Sequence, residues 1–178
     1  MKLQRLIMLV GLGAITAGIP ACDVVAEVSK RVTQDPKEIG AHGHWKAYTF
    51  NDDKSKVCYM ASAPTKQSGN YKKRDQPYAL VTNRNRAKGE VNFVAGYSFK
   101  KDTAVTVKIG SKTYELFTAG DRAWSKNFKA DEQLVTGMIR GDRMVVVGFS
   151  TRGTKTTDTY SLSGFTATKR LIDRACKL

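Results

Sequence analysis

Val105-Thr106-Val107-Lys108-Ile109-Gly110-Ser111-Lys112-Thr113-Tyr114-Glu115-Leu116-Phe117 decides the fold class. Val105, Val107 and Ile109 alternate with polar residues, and Tyr114 and Leu116 resume the alternation after a short break. A period of two sends one face of an extended chain into a core. Gly110 supplies the positive φ that a two-residue primed turn requires, so the stretch reads as a β-hairpin. Its arms are expected over Thr103–Ile109 and Lys112–Phe117.

The same signature extends in both directions. Short runs rich in Val, Tyr, Phe and Thr, punctuated by polar or Gly-containing turns, predict strands over His44–Phe50, Val57–Ser62, Tyr78–Thr82, Val91–Tyr97, Met144–Ser150 and Thr157–Leu162. Gly148, inside an apolar run, predicts a bulge or a close packing contact. Two segments depart from the strand pattern. Asp131–Gly141 reads as a short helix, with acids at its start, Arg140 at its end and Gly141 at the position just past it. Phe165–Cys176 reads as a second, with Phe165, Lys169, Ile172 and Cys176 spaced by four, three and four, and Leu171 and Ala175 widening the stripe. Many strands with two short helices, one of them C-terminal, predict a mostly β chain folded as an antiparallel sandwich.

The N-terminus gives an address. Lys2 and Arg5 precede a charge-free run, Leu6–Ile19, too short to span a bilayer as a helix, which takes about 20 residues. This is the layout of a secretory signal peptide over residues 1–21. Ile19-Pro20-Ala21-Cys22 resembles a bacterial lipobox, so Cys22 is the expected lipidation site and the membrane the expected anchor. Ordinary cleavage after Val24-Val25-Ala26 is the alternative. Residues 22–41, polar and containing Asp35-Pro36, read as a tether, and residues 42–178 as one domain. Either cleavage route leaves Cys58 and Cys176 as an even pair in an oxidising compartment, the periplasm or cell envelope. The expected disulfide stands against two separately buried thiols.

The chain of 178 residues carries a formal charge of +14, of which Lys2 and Arg5 leave with the leader. An excess of this size favours anionic surfaces. Two local clusters concentrate it: Lys72-Lys73-Arg74, and Arg84-Asn85-Arg86-Ala87-Lys88. They flank the strand expected at Tyr78–Thr82, whose length of about five residues separates its ends by ~17 Å. Lys72, Lys73, Arg74, Arg84, Arg86 and Lys88 are the candidate ligand contacts. Export makes an anionic glycan, lipid A or lipid headgroups better partners than nucleic acid, with docking to another envelope protein as the rival role.

No catalytic, metal or cofactor signature stands out. His42 and His44 are the only imidazoles, and two ligands do not make a metal site. Ser161 near Asp158 could be drawn as part of a hydrolase, but Thr156-Thr157-Asp158-Thr159 reads better as a strand border whose polar groups serve turn hydrogen bonds. No Gly-rich phosphate loop follows a strand. The expected protein is a binding module and not an enzyme.

Several stretches taken together resemble one family. They are Trp45; Cys58-Tyr59-Met60-Ala61-Ser62; Gly89-Glu90-Val91-Asn92-Phe93-Val94-Ala95-Gly96-Tyr97; Leu116-Phe117-Thr118 with Ala123-Trp124; and Gly153–Phe165, with its Tyr160-Ser161-Leu162-Ser163-Gly164-Phe165 core. The chain resembles the bacterial invasion-associated locus B family over about residues 43–176. The resemblance implies an immunoglobulin-like β-sandwich in the envelope, with no established catalytic centre and a host-cell role in some members. Many members carry a Cys shortly after the first Trp. Trp45-Lys46-Ala47-Tyr48 has none, which leaves Cys58–Cys176 as the one candidate bridge.

Overall fold

The computed structural model describes residues 35–178, apart from 53–54 and 85–86. The expected leader, Cys22, the tether up to residue 34, and Arg86 lie outside the described residues. The strands are β1 (Lys37–His42), β2 (Trp45–Asn51), β3 (Lys56–Ser62), β4 (Lys66–Gly69), β5 (Tyr78–Arg84), β6 (Ala87–Val94), β7 (Val105–Ile109), β8 (Lys112–Ala119), β9 (Arg122–Trp124), β10 (Arg143–Phe149) and β11 (Lys155–Ser161). The helices are α1 (Phe128–Arg140), between β9 and β10, and α2 (Phe165–Ala175), after β11.

Every strand pair is antiparallel, in the order β1-β2-β3-β5-β6-β9-β8-β7-β10-β11-β4. The ladder folds over at β8. Its first half, Lys112–Leu116, pairs with β7, while Phe117–Ala119 pairs with β9. One strand thus serves both layers, and the chain forms the β-sandwich expected of it. The layers meet where Phe93 of β6 packs edge-on against Tyr160 of β11, ring centroids 6.1 Å apart. The hairpin that decided the fold closes as read: Ile109 pairs with Lys112 across Gly110-Ser111, and Gly110 has φ +57°.

All eight expected strands form, with shifted ends, and three others join them. Lys37–Ala41, read from composition as tether, belongs to β1. β1 and β4 are edge strands that bury little, so hydrogen bonding to β2 and β11 holds them without an apolar period. β9 has only three residues. Gly148 forms no bulge. It sits in regular register with Thr156, and a Cβ there would come within 2.6 Å of the Phe99 ring, so close packing is its reason. Gly141 also differs from expectation. Its φ of −98° needs no glycine, but a Cβ would approach Ile109 Cγ2 to 2.5 Å. α1 begins three residues before its acids because the Asn127 side chain caps it, accepting from Ala130 N–H at 3.0 Å.

α2 covers the open end of the β1-β2-β3-β5 layer. Phe165 meets the fully buried Trp45 ring edge-on at 5.0 Å, and Trp45 Nε1 donates to the Ser161 carbonyl at 3.0 Å. Lys169, out of place on an apolar stripe, is buried but paired, donating to both Asp173 oxygens at 2.7 and 3.0 Å. Asp173 also accepts from Asn83 Nδ2 at 2.8 Å, and Asn83 Oδ1 accepts from Gly89 N–H at 2.8 Å. Asn83 stands at a register shift between β5 and β6, so this relay ties α2 to an irregular point of the sheet.

Cys58 of β3 and Cys176, just past α2, form a disulfide with Cα atoms 6.0 Å apart, closing 118 positions of sequence. Loop closure of that size is worth about 4–5 kcal/mol in the chain-entropy picture. Cys176→Ser is expected to lower unfolding free energy by that order in urea titrations. Dithiothreitol should bring the native protein down to the same level and leave the variant unmoved.

Candidate functional site

Of the six basic residues singled out in the sequence, the five that are described do not share one surface. Lys72 and Lys73 are exposed beyond the Tyr78 end of β5, while Arg84, at the end of β5, and Lys88, near the start of β6, lie at the other end. Arg84 reaches Glu90 at 3.7 Å. Arg86 lies outside the described residues.

Arg74 is set apart by burial. Its side chain, 2% exposed, donates through Nη1 and Nη2 to Asp158 at 2.7 and 2.6 Å, and through Nε to the Ala95 carbonyl at 2.7 Å. The rings of Tyr71 and Tyr97 flank it, with centroids 5.5 and 5.0 Å away. Burial opposes the charge, but the bonds to Asp158 outweigh it and hold Arg74 more firmly protonated than usual. Arg74 is a buried strut joining β11 to the end of β6. Asp158 is corrected with it: it stands inside β11 and serves this pair, not a turn. Asp158 and Ser161 are three residues apart on one strand and so face opposite ways, which breaks up the imagined hydrolase pair. Among the described residues, no group of three or more His, Cys, Asp or Glu side chains is placed to hold a metal.

The main concavity lies elsewhere. α1 and α2 face each other across a groove of about 1170 Å³, floored by Gly89, Tyr114 and Val135. Lys88, Lys112, Lys129 and Arg170 line it, all exposed, together with Lys169. Two carboxylates share the groove, Glu132 and Asp173, and Asp173 is already engaged by Lys169 and Asn83. Among the described residues, Lys88, Lys112, Lys129 and Arg170 have no carboxylate within salt-bridge distance. Lys88 alone was singled out in the sequence. Lys112, Lys129 and Arg170 come from β8, α1 and α2, so no local cluster announces them.

Asp131 holds α1 in place. It accepts from Val91 N–H, at 2.9 Å, on a stretch of β6 that α1 covers. Burial raises its pKa above the ordinary carboxylate range, by more than the bonds from Val91 and Ser125 lower it.

The family model described as Invasion associated locus B (IalB) protein matches residues 45–172. No curated protein and no solved structure matches the chain.

Two outcomes test this geometry. Arg74→Ala strands a buried carboxylate and should cost about 3–5 kcal/mol in urea unfolding. The double variant Arg74→Met/Asp158→Leu should lose clearly less, because neither charge is then left alone. At Asp131, the raised pKa means that the native state keeps a proton the unfolded chain releases. Its contribution to stability is therefore full at low pH and is lost as pH rises from about 4 through the raised value. Asp131→Asn keeps the acceptor for Val91. Relative to wild type it should be more stable at pH 7 than at pH 3.5 in thermal melts.

Proposed function

The chain belongs to the invasion-associated locus B family, and on that premise we propose that it is a non-enzymatic envelope binding protein whose helix-lined groove captures an anionic ligand. At family level it is an envelope-associated invasion-locus protein. Among the described residues no helix is long and apolar enough to cross a membrane. The proposed attachment is the acyl anchor at Cys22. Export is supported by the Cys58–Cys176 bridge, since such bonds persist outside the reducing cytosol.

One observation carries the ligand reading. Lys88, Lys112, Lys129 and Arg170, from four separate elements, line the groove with no carboxylate within salt-bridge distance among the described residues. Like charges held together repel, and an anionic ligand would relieve that repulsion. Lys72 and Lys73, at the opposite pole, add unselective attraction to a polyanion at near approach without belonging to the pocket.

A second role, docking to another envelope protein, draws on the outer face of β2 and β3. There Tyr48 stacks on Tyr59 at 5.1 Å and Phe50 meets Tyr59 edge-on at 6.2 Å, leaving a half-exposed aromatic surface. Aromatic surfaces of this kind are common at protein interfaces.

Salt separates the two roles. Binding of the mature protein to heparin and to lipopolysaccharide should weaken steeply between 50 mM and 500 mM NaCl. Lys88→Glu/Lys112→Glu/Lys129→Glu should reduce it by about tenfold or more, whereas Lys72→Glu/Lys73→Glu should have a smaller effect. Binding indifferent to both salt and the triple reversal would overturn the groove reading. A partner protein retained at 500 mM NaCl would favour the docking role.

A further inference from the structure

We infer that the anion held by this groove is a lipid molecule with a phosphate or carboxylate head and an acyl chain, an inference that rests on the anion-binding reading above. The lining is divided in character along α1. Phe128, Val135 and Ile139 stand at positions i, i+7 and i+11, which an α-helix places on one stripe about 16 Å long. Phe128 is 53% exposed and Ile139 46%, although both are large and apolar.

The apolar surface continues beyond the helix start. A second depression of about 330 Å³ shares Lys88 and Phe128 with the groove and adds Trp124 and Phe117, the latter 47% exposed. Lys88 and Lys129 therefore stand at the aromatic end of the stripe. That end offers Lys88 and Lys129 for a head group, and the groove runs from it past the buried Val135 to the exposed Ile139, where β8 begins at Lys112.

The chemistry of the lining discriminates between ligand classes. A wholly polar polyanion would pair with the lysines and leave Phe117, Phe128 and Ile139 in water. A wholly apolar partner would strip water from four cations with nothing to replace it. An amphiphile with one charged end satisfies both surfaces at once, and a concave site floored by side chains suits a single molecule.

The test uses the mature full-length protein and monomeric lysophosphatidylglycerol below its micelle concentration, followed by calorimetry. Glycerol phosphate supplies the head without the chain, and lysophosphatidylcholine the chain without net charge. Lysophosphatidylglycerol is expected to bind about tenfold or more tighter than either. Phe128→Ser/Ile139→Ser should lower its affinity by about tenfold while leaving heparin binding unchanged. Both positions are exposed, so thermal melts should confirm an intact fold. Equal affinity for glycerol phosphate and the lysolipid, or a lysolipid affinity untouched by that double variant, overturns the lipid inference and leaves anion binding standing. Binding to phosphatidylglycerol vesicles without binding to the monomer also overturns it, in favour of a membrane surface. A double variant that changes oligomeric state by light scattering overturns it in favour of a second copy of the chain. If neither heparin, lipopolysaccharide nor the lysolipid binds, both readings fall.

Discussion

α2 forms one wall of the groove, and it stays there because the Cys58–Cys176 bond fastens its end to β3. An eleven-residue helix has little stability of its own in water. Its start is packed by Phe165 against Trp45, its middle is held by the Lys169–Asp173–Asn83 relay, and its end is covalently tied. The three attachments act on successive turns, so the helix can neither slide along the sheet nor lift from it. The relay also reaches Gly89, beside Lys88, which ties the end of β5 and the start of β6 to the helix. Reduction of the bridge would therefore disturb the groove wall as well as global stability.

The opposite pole is held by different chemistry. Arg74 and Asp158 bring together residues 84 positions apart, and each would be costly to bury alone. Their bidentate geometry, the bond to the Ala95 carbonyl and the flanking Tyr rings satisfy the buried charge. A pair of this sort adds less to stability than an equal volume of apolar packing. Its use is geometric, since it fixes how the Tyr71–Arg74 segment joins β6 to β11. The ion pair thus links the two layers, while the bridge fastens α2 to the layer that contains β3.

Legibility followed the range of the signal. The β7–β8 hairpin could be read because alternation and a turn glycine lie within fifteen residues. The disulfide could be read because export leaves only two thiols. β1 and β4 escaped notice because edge strands are held by backbone hydrogen bonds that side-chain pattern does not record. Arg74 looked like a third member of a solvated cluster because Lys72 and Lys73 precede it, while its partner lies far along the chain. The groove was hidden for the same reason. Lys88, Lys112, Lys129 and Arg170 are spread over more than eighty residues, and only the folding-over of the ladder at β8 assembles them.

The overall charge of the chain and the groove act at different distances. At physiological salt a surface charge is screened within about 8 Å, so Lys72 and Lys73 attract an anionic surface only on near approach and without selecting among polyanions. Within a concavity partly shielded from water, the same charges act through a lower effective dielectric and at fixed separations. Selection can therefore arise in the groove even though most of the basic residues lie outside it. The exposed Phe128 and Ile139 beside the four cations sharpen the distinction, because sequence-wide charge has no means of sensing an acyl chain. A ligand that needs both features would be drawn to the surface by the one and retained by the other.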